Sequence, residues 1–179
     1  LPNLRFDIGA AENLPYADAA FELITAFELI EHLEDWRALL REAHRLLAPN
    51  GFFLVSTPNK RYYAETRAEA GENPFHVHEF DHAEFVRELS LAFPEVEVLL
   101  QNRVESFAFH RDRGPLPALA EIAGGAGSPE DAHFFVAVCS KQPWKGKFGF
   151  VYVPRAANLL REREQHVAAL EQQLDALQD

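Results

Sequence analysis

Apolar and polar positions in this chain follow two periods, one of about two residues and one of three to four. Phe21 to Phe27 (FELITAF) is short and rich in β-branched and aromatic residues, and reads as a strand of a mainly buried sheet. Between Leu33 and Leu47 the apolar Trp36, Leu39, Leu40, Ala43, Leu46 and Leu47 recur at steps of three and four, leaving Arg37, Arg41, Glu42 and Arg45 for an outer face. That spacing predicts a helix lying on the sheet, with Glu31 and His32 in its first turn. Pro49, Asn50 and Gly51 supply a stop and a turn, and Phe52 to Thr57 (FFLVST) is a continuous apolar run suited to a strand covered on both faces. Strand, helix and strand make a right-handed βαβ unit. Chemistry in such units collects at the carboxyl ends of the strands, here Phe27 to His32 and Thr57 to Asn59.

Upstream, Leu4 to Ile8 (LRFDI) is a short strand candidate, followed by a small-residue loop from Gly9 to Pro15. Such a loop lets a flat ligand approach the backbone, although as a bare pattern it reads equally as a connection. Downstream, Lys60 to Pro74 is polar enough for a mobile loop or lid with room for a short helix. Asp81 and Glu84 have capping-box spacing, and the helix they open carries Phe85, Val86, Leu89 and Ala92 on its apolar side before Pro94 stops it. Val96, Val98 and Leu100 predict a strand that continues toward Phe109, and His133 to Ser140 predicts a last strand antiparallel to it. Between them, His110 to Asp131 turns to Gly and Pro and reads as an exposed connection. The expected organisation is a domain over residues 1–140, a linker over 141–155, and an amphipathic or coiled-coil helix over 156–179 built on Leu160, Val167, Leu170, Leu174 and Leu177.

Composition narrows the class. A chain of 179 residues, 47% hydrophobic, can bury one ordinary core. With 17 Lys and Arg against 28 Asp and Glu, the net charge is -11, which argues against an extended nucleic-acid surface. The single Cys139 excludes an internal disulfide framework and sits in an apolar run as a small buried hydrophobe. No stretch has the length of a membrane span, and a cytoplasmic protein is the simplest expectation. Methionine is absent even from position 1, so the chain is expected to begin inside a longer protein.

One side-chain constellation carries chemistry. Glu28, Glu31 and His32 follow the first strand of the βαβ unit, and His76 and His78 alternate in a later loop, which would put both on one side of an extended segment. Glu28, Glu31 and His32 could converge on one point, with His76 or His78 arriving from the loop; two carboxylates with one or two imidazoles suit a divalent metal of intermediate hardness, and Glu28, Glu31, His32 and His78 are the ligand set. Acidic residues opening a helix also favour its dipole with no metal at all. His32 and His78 are the candidate general bases, imidazole being the side chain that titrates near neutrality.

The order of these features, from GAAENLPYADAAFELITAFELIEHLEDWRALLREAHRLLAPNGFFLVSTPN through a His-containing loop, a helix and a terminal strand pair, resembles class I S-adenosylmethionine-dependent methyltransferases. The likeness is closest to the group with the pattern Ala-Glu-x-Leu-Pro-[Phe/Tyr], and covers Leu4 to Ser140. It implies an α/β, Rossmann-like sheet of family order 3-2-1-4-5-7-6, entered here at strand 3. It further implies S-adenosylmethionine as cofactor, with Gly9, Ala10, Ala11 and Glu12 around the adenine and Ala26 and Phe27 bordering the cofactor. Ala10 stands where the family usually has an Asp that accepts from the adenine amino group, so only backbone groups remain to read the base. The family's glycine-rich turn and ribose-binding acid are not found in Leu1 to Ile8. Weak cofactor binding follows, as does an unpaired edge on the Phe21 strand open to association. Glu28-x-x-Glu31-His32 is similar to the metal motif of ubiquinone-pathway O-methyltransferases and of small-RNA terminal 2′-O-methyltransferases. The expectation is therefore O-methylation of a small molecule or glycan, with homo-oligomerisation through the strand edge or the C-terminal helix. A non-catalytic scaffold and an RNA 2′-O-methyltransferase are the alternatives, the latter disfavoured by charge.

Overall fold

A first strand, β1 (Phe21–Ala26), leads through a three-residue 3-10 turn at Ile30–His32 into helix α1 (Trp36–Leu46) and strand β2 (Leu47–Pro58). Then follow α2 (Lys60–Thr66), α3 (His82–Ala92), β3 (Glu95–Gln101) and β4 (Phe134–Ser140). This computed structural model describes residues 3–66, 73–102 and 128–145. All of these belong to one of the chain's two compact units, Leu1–Glu105 with Ala123–Gly149. The other unit, Ser106–Ile122 with Phe150–Asp179, lies outside the described residues, as do the expected C-terminal helix and the strand continuation through Val104 to Phe109.

β1 and β2 pair in parallel, as a βαβ unit requires, and β4 lies antiparallel to both β2 and β3, giving the order β1-β2-β4-β3. That is the order of the last four strands in the sequence-derived arrangement. The core lies between the sheet and two helices. α1 contributes Trp36, Leu39, Leu40 and Ala43; α3 contributes Phe85 and Leu89. They meet Phe53 and Val55 of β2 and Phe135, Ala137 and Cys139 of β4, alternate residues that share one face of their strands. Both helices begin on aspartate caps: Asp35 accepts from the Ala38 amide at 3.0 Å and Asp81 from the Glu84 amide at 2.8 Å.

Two expectations are corrected. Leu4 to Ile8 forms no strand, and Phe6 and Ile8 stand 90% and 103% exposed. A strand exists through its neighbours, and none of the described residues pairs with this segment. β1 is, as expected, an edge strand among the described residues, and its residues are mostly half-buried or exposed. Finally, Pro49, Asn50 and Gly51 make no turn between helix and strand, because α1 passes directly into β2 at Leu47. Proline forces the residue before it out of the helical region, so the helix ends early and the chain is already extended. The three residues instead form an irregularity within β2: Phe21 pairs with Leu47, but Leu23 pairs with Phe52. Gly51 fits there through lack of a side chain, since a Cβ would lie 2.8 Å from the Glu22 carbonyl oxygen and 2.8 Å from Leu47 Cδ1. No helix among the described residues is long and apolar enough to cross a membrane.

Candidate functional site

The carboxyl ends of β1 and β2 are joined by Glu28 and Ser56. Glu28 adopts a left-handed φ of 50°, which swings its backbone amide onto Ser56 Oγ at 3.0 Å, while that hydroxyl donates to Glu28 Oε1 at 2.6 Å. The chain then tightens into the 3-10 turn. α1 starts only at Trp36, so Glu31 and His32 lie outside the helix and the dipole of α1 does not explain the acid.

Glu31 is fully buried, and neither of its carboxylate oxygens has a hydrogen-bond partner among the described residues. Removal from water raises its carboxyl above the ordinary range and the Glu28 charge adds to this, while its own backbone amide, His32 and His76 pull the other way. Its backbone carbonyl accepts two successive amides, Val77 at 2.8 Å and His78 at 3.1 Å. The loop over 73–80 therefore bends at this point, and the expected extended segment with His76 and His78 on one side is not formed.

The bend separates the two histidines. His76 is brought to Glu31 and His32, and one donor atom from each of the three lies within 4.8 Å of the others. His32 Nδ1 faces the Phe75 carbonyl at 2.7 Å, and His76 Nδ1 faces Glu79 Oε1 at 2.8 Å. A carbonyl only accepts, so His32 Nδ1 carries the hydrogen and Nε2, 3.9 Å from Glu31 Oε1, presents a lone pair when the ring is neutral. His76 is oriented in the same manner by its carboxylate. His78, by contrast, places Nε2 3.1 Å from Glu84 Oε1 and stacks on Trp36 at 5.7 Å between ring centres. Of the proposed ligands, then, Glu31 and His32 are gathered with His76, whereas Glu28 is engaged by Ser56 and His78 by Glu84.

Ahead of β1 in the chain, Ala10 to Asn13 form a tight turn closed by the Asn13 amide on the Ala10 carbonyl at 3.0 Å. The amides of Ala11 and Glu12, at its centre, have no partner among the described residues. Ala26 is buried, and Phe27 after it is 56% exposed at the strand end. A cavity of about 290 Å³ opens past the end of β2, lined by Asn59, Arg61, Asp81, His82, Ser128 and Glu130. Asn59 fixes its floor, its Nδ2 reaching the carbonyls of Pro129, Glu130 and Ala132 at 3.1, 3.3 and 2.6 Å. Asn59 was legible in sequence only as a strand terminator, and Ser56 carried no signal, since each acts through a contact distant along the chain.

A mixed α/β sheet in this order is similar to the sheet of solved methyltransferase structures. The methyltransferase domain family matches residues 1–92, and the chain belongs to that family. It is 41% identical over 95 residues to a probable S-adenosylmethionine-dependent methyltransferase of Mycolicibacterium smegmatis, covering 52% of this chain and 37% of that one. It is 40% identical over 52 residues to the ubiquinone biosynthesis O-methyltransferase of Azorhizobium caulinodans, covering 29% and 21%. A solved methyltransferase of Thermotoga maritima, described as a possible histamine N-methyltransferase, superposes with a TM-score of 0.52 at 25% identity over 75% of this chain and 62% of that one. The chain thus spans well under half the length of these two curated relatives. The family implies S-adenosylmethionine as methyl donor. Neither the scaffold nor the RNA alternative gains support from these likenesses.

Proposed function

We propose that this chain forms the acceptor side of an enzyme that moves a methyl group from S-adenosylmethionine to a hydroxyl of a small molecule or glycan. The observation that carries this is the placement of His32, with a free Nε2 lone pair, beside a buried acid at the carboxyl end of β1. Gly9, Ala10, Ala11 and Glu12 would hold the adenine through backbone groups, and Ala26 and Phe27 would border the cofactor. The cofactor, when bound, supplies an electrophilic methyl on a sulfonium. As the new O–C bond forms and the C–S bond breaks, the hydroxyl proton passes to His32 Nε2, and the Glu31 carboxylate favours the resulting imidazolium. His78 is the lesser candidate base, its Nε2 being turned to Glu84. Arg61, Asp81, Ser128 and Glu130 at the cavity past β2 offer hydrogen-bonding groups to an acceptor that carries hydroxyls.

A second reading is favoured by His76 and by the bare carboxylate. Glu31, His32 and His76 would hold a divalent metal, their Nδ1 atoms or backbone already fixed by neighbours as metal-bound imidazoles usually are. Two imidazoles with one carboxylate suit zinc, manganese or iron better than calcium. A metal there would lower the pKa of a coordinated hydroxyl, leaving the protein to orient the acceptor.

Labelled methyl transfer at millimolar S-adenosylmethionine tests the first reading: His32→Ala should lower the rate by about 10²-fold or more, and an unchanged rate contradicts it. Calorimetric titration with Mn²⁺ tests the second, which requires one site in the wild type, lost in Glu31→Gln and in His76→Ala. Binding that survives both substitutions rejects it. The exposed edge of β1 also suggests a partial cofactor site, and a submicromolar affinity of this chain for S-adenosylmethionine would contradict that.

A further inference from the structure

Arg45 spends every N–H of its guanidinium on one task. Nε donates to Glu42 Oε2 at 2.9 Å and one terminal nitrogen to Glu42 Oε1 at 2.7 Å. The same nitrogen reaches the Leu14 carbonyl at 3.2 Å, and the other reaches the Tyr16 carbonyl at 2.8 Å and Asp18 Oδ1 at 2.6 Å. These contacts take up the five donors of the fork. Glu42 completes the grip by accepting the Leu14 amide at 2.7 Å, and the Arg45 carbonyl accepts the Ala19 amide at 3.0 Å. Both side chains come from the last turn of α1, so a rigid helix holds the segment from Leu14 to Ala19 at both of its ends.

Stabilising α1 alone does not require this arrangement. An arginine in a last turn improves the helix dipole in any orientation, and Glu42 with Arg45 is an ordinary pair at three-residue spacing. Neither role needs three contacts to a segment about thirty residues away. The held segment begins one residue after Asn13, which closes the Ala10 to Asn13 turn. At Ala10 the turn offers only a methyl group, and its polar side chains are Glu12 and Asn13. Its selectivity depends on where the amides of Ala11 and Glu12, unpartnered among the described residues, and these neighbouring groups stand.

We infer that Arg45, with Glu42, is a positioning residue for cofactor recognition: by holding the segment from Leu14 to Asp18 it fixes the preceding turn at Ala10 to Glu12 so that the groups of that turn discriminate adenine. The inference rests on the proposed placement of adenine at that turn. It assigns Arg45 no contact with the cofactor. It also separates the two halves of a recognition problem, the helix setting position and the turn supplying the donors and acceptors. A hypoxanthine base, which exchanges the amino donor for a carbonyl and the ring acceptor for an N–H, should be rejected by a turn held in place and tolerated by one set loose.

The test is amide NMR on this chain with S-adenosylhomocysteine and S-inosylhomocysteine as probes at up to millimolar concentration, in the wild type, Arg45→Lys and Arg45→Ala. The β4 amides report whether each variant keeps its fold. In the wild type, Ala11 and Glu12 should shift with the adenine compound and bind it about tenfold or more tightly than the hypoxanthine one. Arg45→Ala should abolish the preference. Arg45→Lys should fail to restore it, since an ammonium keeps the charge at the helix end without the planar fork. Recovery of the preference by lysine, or its persistence in Arg45→Ala, overturns the positioning role and leaves the adenine site standing. An absence of shifts at Ala11 and Glu12 in the wild type overturns the adenine placement and this inference with it.

Discussion

The Glu31 carboxylate and His32 Nε2 face each other across 3.9 Å with no hydrogen bond between them, although the acid is fully buried and the imidazole is held in place from behind by the Phe75 carbonyl. An acid in that position costs stability unless something arrives to compensate it.

Replacing it should therefore help the metal-free protein. Glu31→Leu, which keeps the volume and removes the charge, should raise stability by about 1–3 kcal/mol in urea unfolding. Added Mn²⁺ should then stabilise the wild type and not the variant, if the cluster binds metal. A less stable Glu31→Leu would show that the acid is compensated in the folded protein after all.

Helices α1 and α3 are tied by Arg37 Nε on Glu88 Oε2 at 2.9 Å, with Arg87 on the same carboxylate at 3.0 Å. Hydrogen bonding from Arg37 foremost holds the Glu88 carboxyl below its ordinary range, against the effect of burial. A depressed acid stabilises the fold above its unfolded pKa and ceases to do so as pH falls through the folded one. Because Arg37 is largely exposed and Arg87 remains, Arg37→Ala should cost only about 1–2 kcal/mol at neutral pH. Its deficit should shrink as the solution is acidified below about pH 4, measured by chemical unfolding across that range.

Cys139 shows the opposite sign. Burial alone pushes its thiol up to about 12, so the folded protein resists forming a thiolate that the unfolded chain forms readily. Stability present below the ordinary thiol value should be lost progressively as pH rises from about 9, and a Cys139→Ala variant should lack that part of the slope. At pH 8 a thiol reagent should react with the native protein only at its rate of opening, and addition of urea should accelerate it.

Gly51 admits a sharper steric test. A methyl group there meets the Glu22 carbonyl, which is backbone in the partner strand and cannot rotate away. Gly51→Ala should lose about 1–3 kcal/mol and loosen β1 from β2, seen as faster amide exchange at Leu23 to Ala26. Unchanged exchange in β1 would show that the irregularity in β2 absorbs the methyl group.

Local patterns in the sequence determined a good part of this protein. Spacings of three and four wrote α1 and α3 with their apolar faces, Asp81 announced the cap it makes, Phe52 to Thr57 could be read as a strand covered on both faces and His133 to Ser140 as a last strand, because both periods and caps depend on neighbours a few residues apart. The same logic placed Glu31 and His32 at a strand end where chemistry collects. Only the tertiary structure decided the rest. Leu4 to Ile8 has strand composition and no strand to pair with; Pro49 to Gly51 has turn composition inside a strand whose pairing resumes beyond it. His76 joins the site instead of His78 because two consecutive amides converge on the Glu31 carbonyl and bend the loop between them. His32 is oriented by a carbonyl 43 residues away, and the segment from Leu14 to Asp18 is held by an arginine beyond the next strand. Such contacts arise when elements pack, and no periodicity within one element records them.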